Sequence, residues 1–319
     1  MVNETINVVD IGARYGIHPS WKGVECKINF NLFETDKSEC QILKKKYSQY
    51  KNVKIFNKAV SYNKKPMTIH QLTNPAMSTS KKRLNVSPLF WGIRKNQLKI
   101  ENKYKVSSVT LNDIFINSGY IDFIKIDTEG SEFEILEKYD HYNELLGIRS
   151  EVNFTNVFQE EDNKDSFSKL NELMLSKKFI LLNLDYNGQG EPFLDMVDIK
   201  KRYGILQTTD AVWIKNIDQI NKSSSINKLK LSVFLFKNNA PDIAIWILKS
   251  LKLSDIKKLL KLDIFNFLKF LTAKHLFSIK WQSNQNNSSH KKVFEKIFQD
   301  EYPELNKYNE SLFYNRNII

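Results

Sequence analysis

The chain of 319 residues is long enough for one large domain or two ordinary ones, and its 41% hydrophobic residues can build a core. With 10 glycines and 7 prolines it is neither collagen-like nor a Gly/Pro-rich disordered chain. The net charge of +12 lies mainly in the last third, because residues 220–319 carry 17 basic and 8 acidic residues. Such a surface suits phosphates, anionic lipid headgroups or acidic glycans, although a general bias toward Lys, Asn, Ile and Phe explains the charge as well.

Apolar and amphipathic segments alternate along the first two thirds of the chain. The predicted strands are 6–11, 27–34, 53–56, 123–127, 148–154, 179–184 and 210–215. The predicted helices are 38–47, capped by Asp36 or Ser38, 109–116, capped by Thr110, 131–139 and 166–176. This alternation predicts an α/β domain with a mostly parallel sheet and helices on both faces.

Two long segments interrupt the alternation. Residues 61–105 form an insertion between the third and fourth strands, with an extended piece at 67–72, and residues 185–208 form a second long connection. Long loops in compact α/β domains are usually functional or disordered. We expect both segments to border the active site.

A polar break at 222–225 separates a sheet domain, 1–219, from a basic helical C-terminal region, 220–319. Pro241 stands at a plausible first helical position, and apolar residues beyond Ser254 recur at helical spacing. We expect this region to cover the sheet domain or to form a homodimer. The alternative is that residues 241–275 bind peripherally to an anionic membrane.

The cysteines and the N-terminus indicate a compartment. Cys26 and Cys40 form no CxxC metal or redox pattern, and two isolated thiols fit a reducing cytoplasm. The first residues show no signal-peptide pattern. The sequence contains no run of 18 apolar residues, so no helix should span a membrane. We therefore expect a cytoplasmic protein, with possible attachment to the inner face of the membrane only if the C-terminal region binds lipid.

A glycine loop follows the first strand. Asp10, Gly12 and Gly16 form the pattern D-x-G-x-x-x-G, in which glycine allows a tight turn and close backbone approach to a nucleoside. Glu34 ends the second strand 18 residues after Gly16, where an acid can bind both ribose hydroxyls. NAD fits this spacing, but Arg14 stands in the place of the glycine that approaches a pyrophosphate. An adenosine cofactor without a pyrophosphate therefore fits better.

An acidic turn follows the fourth strand. Three carboxylates and a glycine lie between Asp127 and Glu132, at the kind of strand end where open α/β sheets bind ligands. Unpaired charge is costly to bury. We therefore expect these acids to face a ligand, a metal or water.

The order of these segments resembles the FkbM family of S-adenosylmethionine-dependent methyltransferases over roughly residues 6–216. The segments that carry the resemblance are DIGARYG (10–16), FNLFETD (30–36), FNKAVS (56–61), TLNDIF (110–115), IDFIKIDTEGSEFEILE (121–137) and RSEVNF (149–154). It implies a Rossmann-like class I methyltransferase fold, with seven strands of which the last is antiparallel. Family members typically methylate hydroxyl groups of sugars or natural products.

The resemblance also implies roles for single residues. The positions that would bind S-adenosylmethionine are Asp10, Gly12, Arg14, Gly16, Glu34, Asn57 and Asp127. Glu34 would bind the ribose and Asn57 would lie near the adenine, while Asp127, Glu129 and Gly130 would line the methyl-transfer site. Arg14 replaces the small residue or Asn common in this loop, and Thr35 replaces a usual proline.

A sugar hydroxyl is a poor nucleophile, so a general base should assist the transfer. The candidates are Asp127, Glu129, Glu132 and Glu151, with His70 on the insertion. Glu132 begins a helix, where a carboxylate is also favoured by the N-terminal dipole. A histidine placed like His70 is more often an ordinary half-exposed strand residue. We assign the catalytic roles to Asp127, Glu129 and His70.

A metal is an alternative at the same place. Some O-methyltransferases hold Mg²⁺ with acids after the fourth and fifth strands, which here would be Asp127 with Glu151 and Asn153. The spacing does not establish such a site, and we expect no metal.

The sequence thus predicts an O-methyltransferase that acts on a saccharide or glycan. The first alternative is a methyltransferase of a lipid or natural-product hydroxyl. An alternative of another class is a basic module that binds nucleic acid or membrane without catalysis. We expect no nucleic-acid partner, because the chain lacks an aromatic platform of the RRM or OB type.

Overall fold

A computed structural model of the protein describes residues 5–21, 28–84, 92–158, 165–185, 189–191 and 204–251. They fall into two compact units, 5–223 and, within the described part, 224–251. Cys26 and residues 252–319 of the basic C-terminal region lie outside the described residues. The boundary at 219/220 stays a prediction.

The larger unit contains a central mixed sheet. The strands of the described residues are β1 (Ile6–Ile11), β2 (Ile28–Glu34), β3 (Val53–Asn57), β4 (Ala59–Val60), β5 (Met67–Leu72), β6 (Ile100–Val106), β7 (Ser108–Val109), β8 (Phe123–Ile126), β9 (Gly147–Asn153), β10 (Phe179–Leu184), β11 (Gln189–Glu191) and β12 (Ile205–Lys215). Seven of them lie in the order β10-β12-β9-β8-β1-β2-β3, and β11 pairs with β12 beside this path. β12 runs antiparallel to β9 and β10, whereas the pairs from β9 to β3 are parallel. The predicted α/β sheet with an antiparallel last strand is confirmed.

Seven α-helices lie in the described residues, and the first four of them connect strands. They are α1 (Lys37–Lys46), α2 (Leu111–Ser118), α3 (Glu132–Glu137), α4 (Ser166–Ser176), α5 (Ile217–Lys222), α6 (Ser225–Lys237) and α7 (Pro241–Lys249). The Asp36 side chain accepts hydrogen bonds from two backbone N–H groups at the start of α1, so Asp36 rather than Ser38 is the cap. Thr110 caps α2 in a reciprocal capping box with Asp113. The predicted helix start at Val109 is wrong, because Val109 pairs with Val60 as part of β7.

Both faces of the sheet are buried. On one face α2, α3 and α4 place Ile114, Ile135 and Leu170 in a core cluster with β1, β8 and β9. On the other face Trp21 packs against Phe30 and Phe123. All six residues of β1 are buried, including the polar Asn7 and Asp10, which accounts for its mainly apolar sequence.

The insertion contains an antiparallel hairpin of β5 and β6. The sequence predicts only β5, because β6 is largely exposed and reads as a run of polar and charged residues. β12 begins at Ile205, five residues before its predicted start. Like most of β6, its first two residues are exposed. The strand order reverses between β1 and β8, and the carboxyl ends of strands at such a point form a natural ligand crevice.

The smaller unit contains α6 and α7 within its described part. Pro241 is the first residue of α7, as predicted. Among the described residues no helix is both long and apolar enough to cross a membrane. Residues 252–275 lie outside the described part, so the membrane-binding and homodimer roles stay predictions, as does the cytoplasmic location.

Candidate active site

A cavity of about 330 Å³ lies at the carboxyl ends of β1, β2 and β8. Its wall includes the glycine loop 12–19, the end of β2 at 34–35, the acidic turn 127–131, and the insertion at 75–80, with residues 58–60 and part of β5. Gly12, Arg14, Gly16, Glu34, Asp127 and Glu129 line it. The structure thus brings six of the nine predicted site residues to one cavity.

The glycine loop packs directly on the acidic turn. Gly12 has φ +75°, and a Cβ there would lie 1.8 Å from the carbonyl oxygen of Asp127. Gly16 has φ +104°, and its Cβ would lie 2.3 Å from the Tyr47 hydroxyl. Both positions therefore require glycine, for its backbone freedom and for its lack of a side chain.

Asp10 lies below the loop rather than on the cavity wall. It is 1% exposed, and its Oδ2 accepts a hydrogen bond of 3.1 Å from the His18 backbone N–H. The Lys125 ammonium lies 3.6 Å from Asp10 and 3.4 Å from Asp127. Burial would lower the pKa of Lys125, but the charges of Asp127 and Asp10 raise it above its usual value. Lys125 thus remains a cation that holds the loop and the turn together.

Glu34 presents a carboxylate to the cavity. It is 5% exposed, and its Oε1 accepts a hydrogen bond of 2.8 Å from the Asp36 backbone N–H. Its Oε2 accepts no hydrogen bond from the described residues. Burial raises the pKa of Glu34, against the opposing effects of that hydrogen bond and of Arg14. Arg14 itself pairs with Asp36 at 3.2 Å.

Asn57 does not line the cavity. Its amide donates to the carbonyl oxygens of Glu34 and Thr35 at 3.1 and 2.9 Å, so it holds the backbone that carries Glu34. Its place beside an adenine stays a prediction. His70 lies on β5, where its backbone pairs with Thr79, and it is likewise not among the cavity-lining residues. A catalytic role for His70 also stays a prediction.

Glu132 organises the acidic turn. Its carboxylate accepts hydrogen bonds from the N–H and hydroxyl of Thr128, at 2.6 and 2.8 Å, and from the N–H of Gly130 at 3.0 Å. The side chain is buried, and burial raises its pKa to about 7. These contacts favour the structural interpretation of Glu132 over the catalytic one.

Arg83 fastens the insertion to the same turn. Its guanidinium donates to Glu129 Oε2 at 2.6 Å and to the Met77 carbonyl oxygen at 3.1 Å, and it lies 4.8 Å from the centre of the Phe158 ring. The Thr79 hydroxyl donates to the Glu129 carbonyl oxygen. Burial raises the pKa of Glu129, with Arg83 opposing that rise.

Carboxylates from two strand ends converge beside the cavity. One oxygen atom each from Asp127, Glu129 and Glu151 lies within 4.8 Å of the other two. The expectation that the site works without a metal stays a prediction.

Sequence reasoning missed several charged residues around this site. Lys125 had a signal, since a lysine inside a buried apolar strand needs charged partners. His18 contacts Asp210 of β12 at 3.4 Å. Asp210 also pairs with Arg149, and these contacts lower its pKa although burial would raise it. Arg83 had no local signal, because only the path of the insertion brings it to Glu129.

The residues present suit a nucleoside cofactor that carries a positive charge. Glu34 offers a free carboxylate oxygen to ribose hydroxyls. Asp127 on the wall and Asp10 beneath it supply negative charge, and Asp10 Oδ1 is buried without a hydrogen-bond partner. The glycine loop leaves room for the cofactor to approach the backbone closely. This donor set fits S-adenosylmethionine, whose sulfonium and ammonium groups are cationic.

Comparisons with known proteins agree with the geometry. The family model described as a methyltransferase FkbM domain matches residues 10–181, and no curated protein matches the chain. Solved structures that the chain resembles include a protein in the NADB-Rossmann superfamily from Streptococcus agalactiae, at 12% identity, covering 85% of this chain and 92% of that one, with a TM-score of 0.34. The tRNA methyltransferase TrmK from B. subtilis resembles it at 11% identity, covering 97% and 94%, with a TM-score of 0.30. The O-methyltransferase region of StiE does so at 9%, covering 76% of each chain, with a TM-score of 0.33. At such scores these three carry no argument.

The sheet order and the glycine loop facing the acidic turn define a class I methyltransferase. The family match covers more than half of the chain. The protein belongs to the FkbM methyltransferase family, and its methyl donor is S-adenosylmethionine.

Proposed function

We propose that the protein is an O-methyltransferase whose acceptor is a hydroxyl group of a saccharide or glycan. The observation that carries the proposal is the convergence of Asp127, Glu129 and Glu151 beside the cavity. Ionised carboxylates only accept hydrogen bonds, and a saccharide offers several hydroxyl donors close together. A set of acceptors from two neighbouring strand ends is suited to hold such a molecule.

The bound donor supplies an electrophilic methyl group on a sulfonium. The chain must bring an acceptor oxygen into line with it, and alignment alone can supply roughly 7–11 kcal/mol of rate enhancement. Asp127 lies on the cavity wall with its side chain 36% exposed, where it can orient an acceptor hydroxyl. The insertion adds Ser78, Thr79 and Ser80 to the polar part of the wall.

Two alternatives remain open to experiment. A lipid or natural-product alcohol offers the same hydroxyl chemistry with fewer donors. A nucleic acid fits the site less well, because its phosphates would meet the acidic group rather than a basic groove. The basic C-terminal region that suggested a non-catalytic binding module lies mainly outside the described residues.

The test is transfer of labelled methyl from S-adenosylmethionine to parallel sets of oligosaccharides, lipid-linked glycans, lipid alcohols and RNA. We expect label in a saccharide fraction, as an ether that survives mild alkali. Asp127→Asn and Glu129→Gln should slow turnover more than they weaken cofactor binding. Label found only in RNA, or only in alkali-labile esters, would refute the proposal.

A further inference from the structure

The glycine loop carries an aromatic side chain that the packing of the protein does not use. Tyr15 stands directly before Gly16 and is 67% exposed, although it lines the cavity. Within the described part of the chain its ring contacts no other aromatic ring, and its hydroxyl makes no hydrogen bond. Most of a large apolar ring therefore faces solvent at the edge of the cofactor cavity.

The backbone at Tyr15 is held in an unfavourable conformation. Its φ is +73°, in the left-handed region that a bulky side chain disfavours. Glu39 on α1 accepts a hydrogen bond of 3.3 Å from the Tyr15 N–H, and the Lys46 ammonium donates one of 2.8 Å to the Tyr15 carbonyl oxygen. Strained residues persist only where their surroundings fix them, and they cluster at ligand sites. The contacts with α1 thus fix the position from which the exposed ring projects.

The same helix places Tyr15 near the Glu34 end of the cavity. α1 begins shortly after Glu34, which ends β2. Arg14, which precedes Tyr15, pairs with the α1 cap Asp36 at 3.2 Å. Glu34 is the acid suited to bind ribose hydroxyls. A ring that projects from Tyr15 is therefore placed to contact the nucleoside part of the cofactor.

We propose that Tyr15 is a cofactor-binding residue whose ring covers the nucleoside of bound S-adenosylmethionine. The contact would bury the exposed ring against an apolar face of the nucleoside, which removes both surfaces from water. It would also exclude water from the hydrogen bonds between Glu34 and the ribose, and these bonds are stronger in a less polar surrounding. The inference depends on the methyl donor and not on the identity of the acceptor.

Calorimetric titration with S-adenosylmethionine tests the contact directly. Tyr15→Asn removes the ring and keeps a residue that tolerates a left-handed backbone. Because stacking on a nucleic-acid base is worth about 1–3 kcal/mol by side-chain truncation, the cofactor Kd should rise about 5- to 150-fold. Tyr15→Phe keeps the ring and should bind like the wild type. A wild-type Kd in Tyr15→Asn would overturn the proposal.

A second tyrosine provides the matched control. Tyr62 is 52% exposed and is not among the residues that line the cavity. Tyr62→Asn makes the same chemical change on the surface and should leave the cofactor Kd unchanged. An equal rise of the Kd in Tyr62→Asn would show that loss of an exposed ring acts without a contact to the cofactor, which contradicts the proposal.

Urea unfolding separates cofactor binding from a structural role. The exposed ring adds little packing, and Asn adopts a positive φ more readily than Tyr, so Tyr15→Asn should be at least as stable as the wild type. Tyr15→Gly relieves the backbone strain further and should show the same combination of kept stability and weaker binding. If both variants lose stability together with affinity, Tyr15 is a structural residue and the proposal fails.

A second ligand identifies the part of the cofactor that the ring contacts. S-adenosylhomocysteine keeps the nucleoside but lacks the positive charge on sulfur. A nucleoside contact predicts that Tyr15→Asn weakens the binding of both ligands by the same factor. A loss confined to S-adenosylmethionine would instead indicate a cation–π contact with the sulfonium and would overturn the nucleoside contact. These titrations contain no acceptor, so their outcome is independent of whether the protein methylates a saccharide.

Discussion

The Arg83 guanidinium, carried by the insertion, donates a hydrogen bond of 2.6 Å to the Glu129 carboxylate on the turn after β8. Glu129 has φ +56°, a left-handed conformation that is unfavourable for a residue with a side chain. The Arg83 contact and the Thr79 hydrogen bond hold it there. The insertion therefore supports the conformation of the acidic turn as well as forming a wall of the cavity.

Replacing Arg83 by Met should strongly destabilise the protein. The Arg83 side chain is 6% exposed and that of Glu129 15%, so the change leaves a mostly buried carboxylate without its cation. Such a loss costs about 3–5 kcal/mol, measurable by urea unfolding. The double variant with Glu129→Gln should recover part of it. Lys64→Met, which breaks an exposed ion pair with Asp113, is the control and should change little. Equal loss in the control would show that Arg83 holds no special position.

Replacing Gly12 by Ala should abolish cofactor binding. The new Cβ would lie 1.8 Å from the Asp127 carbonyl oxygen and require a left-handed φ, so loop and turn must separate. Gly119→Ala is a matched control, because Gly119 has φ +79° but nothing within 4 Å of its Cβ. It should cost about 1 kcal/mol of stability and leave the cofactor Kd unchanged. Calorimetric titration with S-adenosylmethionine measures the cofactor Kd of both variants. Wild-type affinity in Gly12→Ala would contradict the packing argument.

The sequence was sufficient for the central sheet and for the position of the glycine loop at its edge. Buried apolar runs and capping residues such as Asp36 and Thr110 are local signals, as is the glycine loop. The partners of the acids were not predictable, because they depend on strand register and on the path of the insertion. Glu151 acquires its surroundings only when β9 pairs with β12, and Glu129 acquires its cation only from residue 83.

Replacing Glu34 by Ala should weaken cofactor binding about 10- to 100-fold. The change removes a carboxylate from the cavity wall, and a hydrogen bond to a charged group is worth about 1.5–3 kcal/mol. Unfolding stability should fall less, because Asn57 still anchors the backbone of β2. Glu144→Ala, an exposed acid, is the control. An unchanged Kd by calorimetry would place the ribose elsewhere.

Removal of divalent cations should not affect turnover. Lys125 and Arg83 already pair with Asp127 and Glu129, two of the three acids that could ligate a metal ion. Activity after dialysis against EDTA should equal that with added Mg²⁺. A loss that Mg²⁺ restores, and that Glu151→Gln removes, would instead support the metal alternative at these acids.

Burial of Glu132 should make the folded protein less stable as the pH rises. The pKa of its carboxyl is raised to about 7 from the ordinary 4.5. The folded state therefore binds more protons than the unfolded state between these values, and stability is lost as pH rises through this window. The full effect of this one group is about 3 kcal/mol.

The measurement compares urea unfolding of the wild type and of Glu132→Gln at pH 5 and pH 8. The variant keeps an acceptor for the Thr128 hydrogen bonds but cannot ionise, so its stability should depend less on pH. Asp113→Asn is the control, because the pKa of Asp113 is shifted in the opposite direction to that of Glu132. The hydrogen bond from Lys64 lowers the pKa of Asp113, so its contribution changes only in acid and the slope between pH 5 and 8 should match the wild type. If Glu132→Gln also keeps the wild-type slope, the three hydrogen bonds to Glu132 hold its carboxylate ionised throughout, and the turn is insensitive to pH.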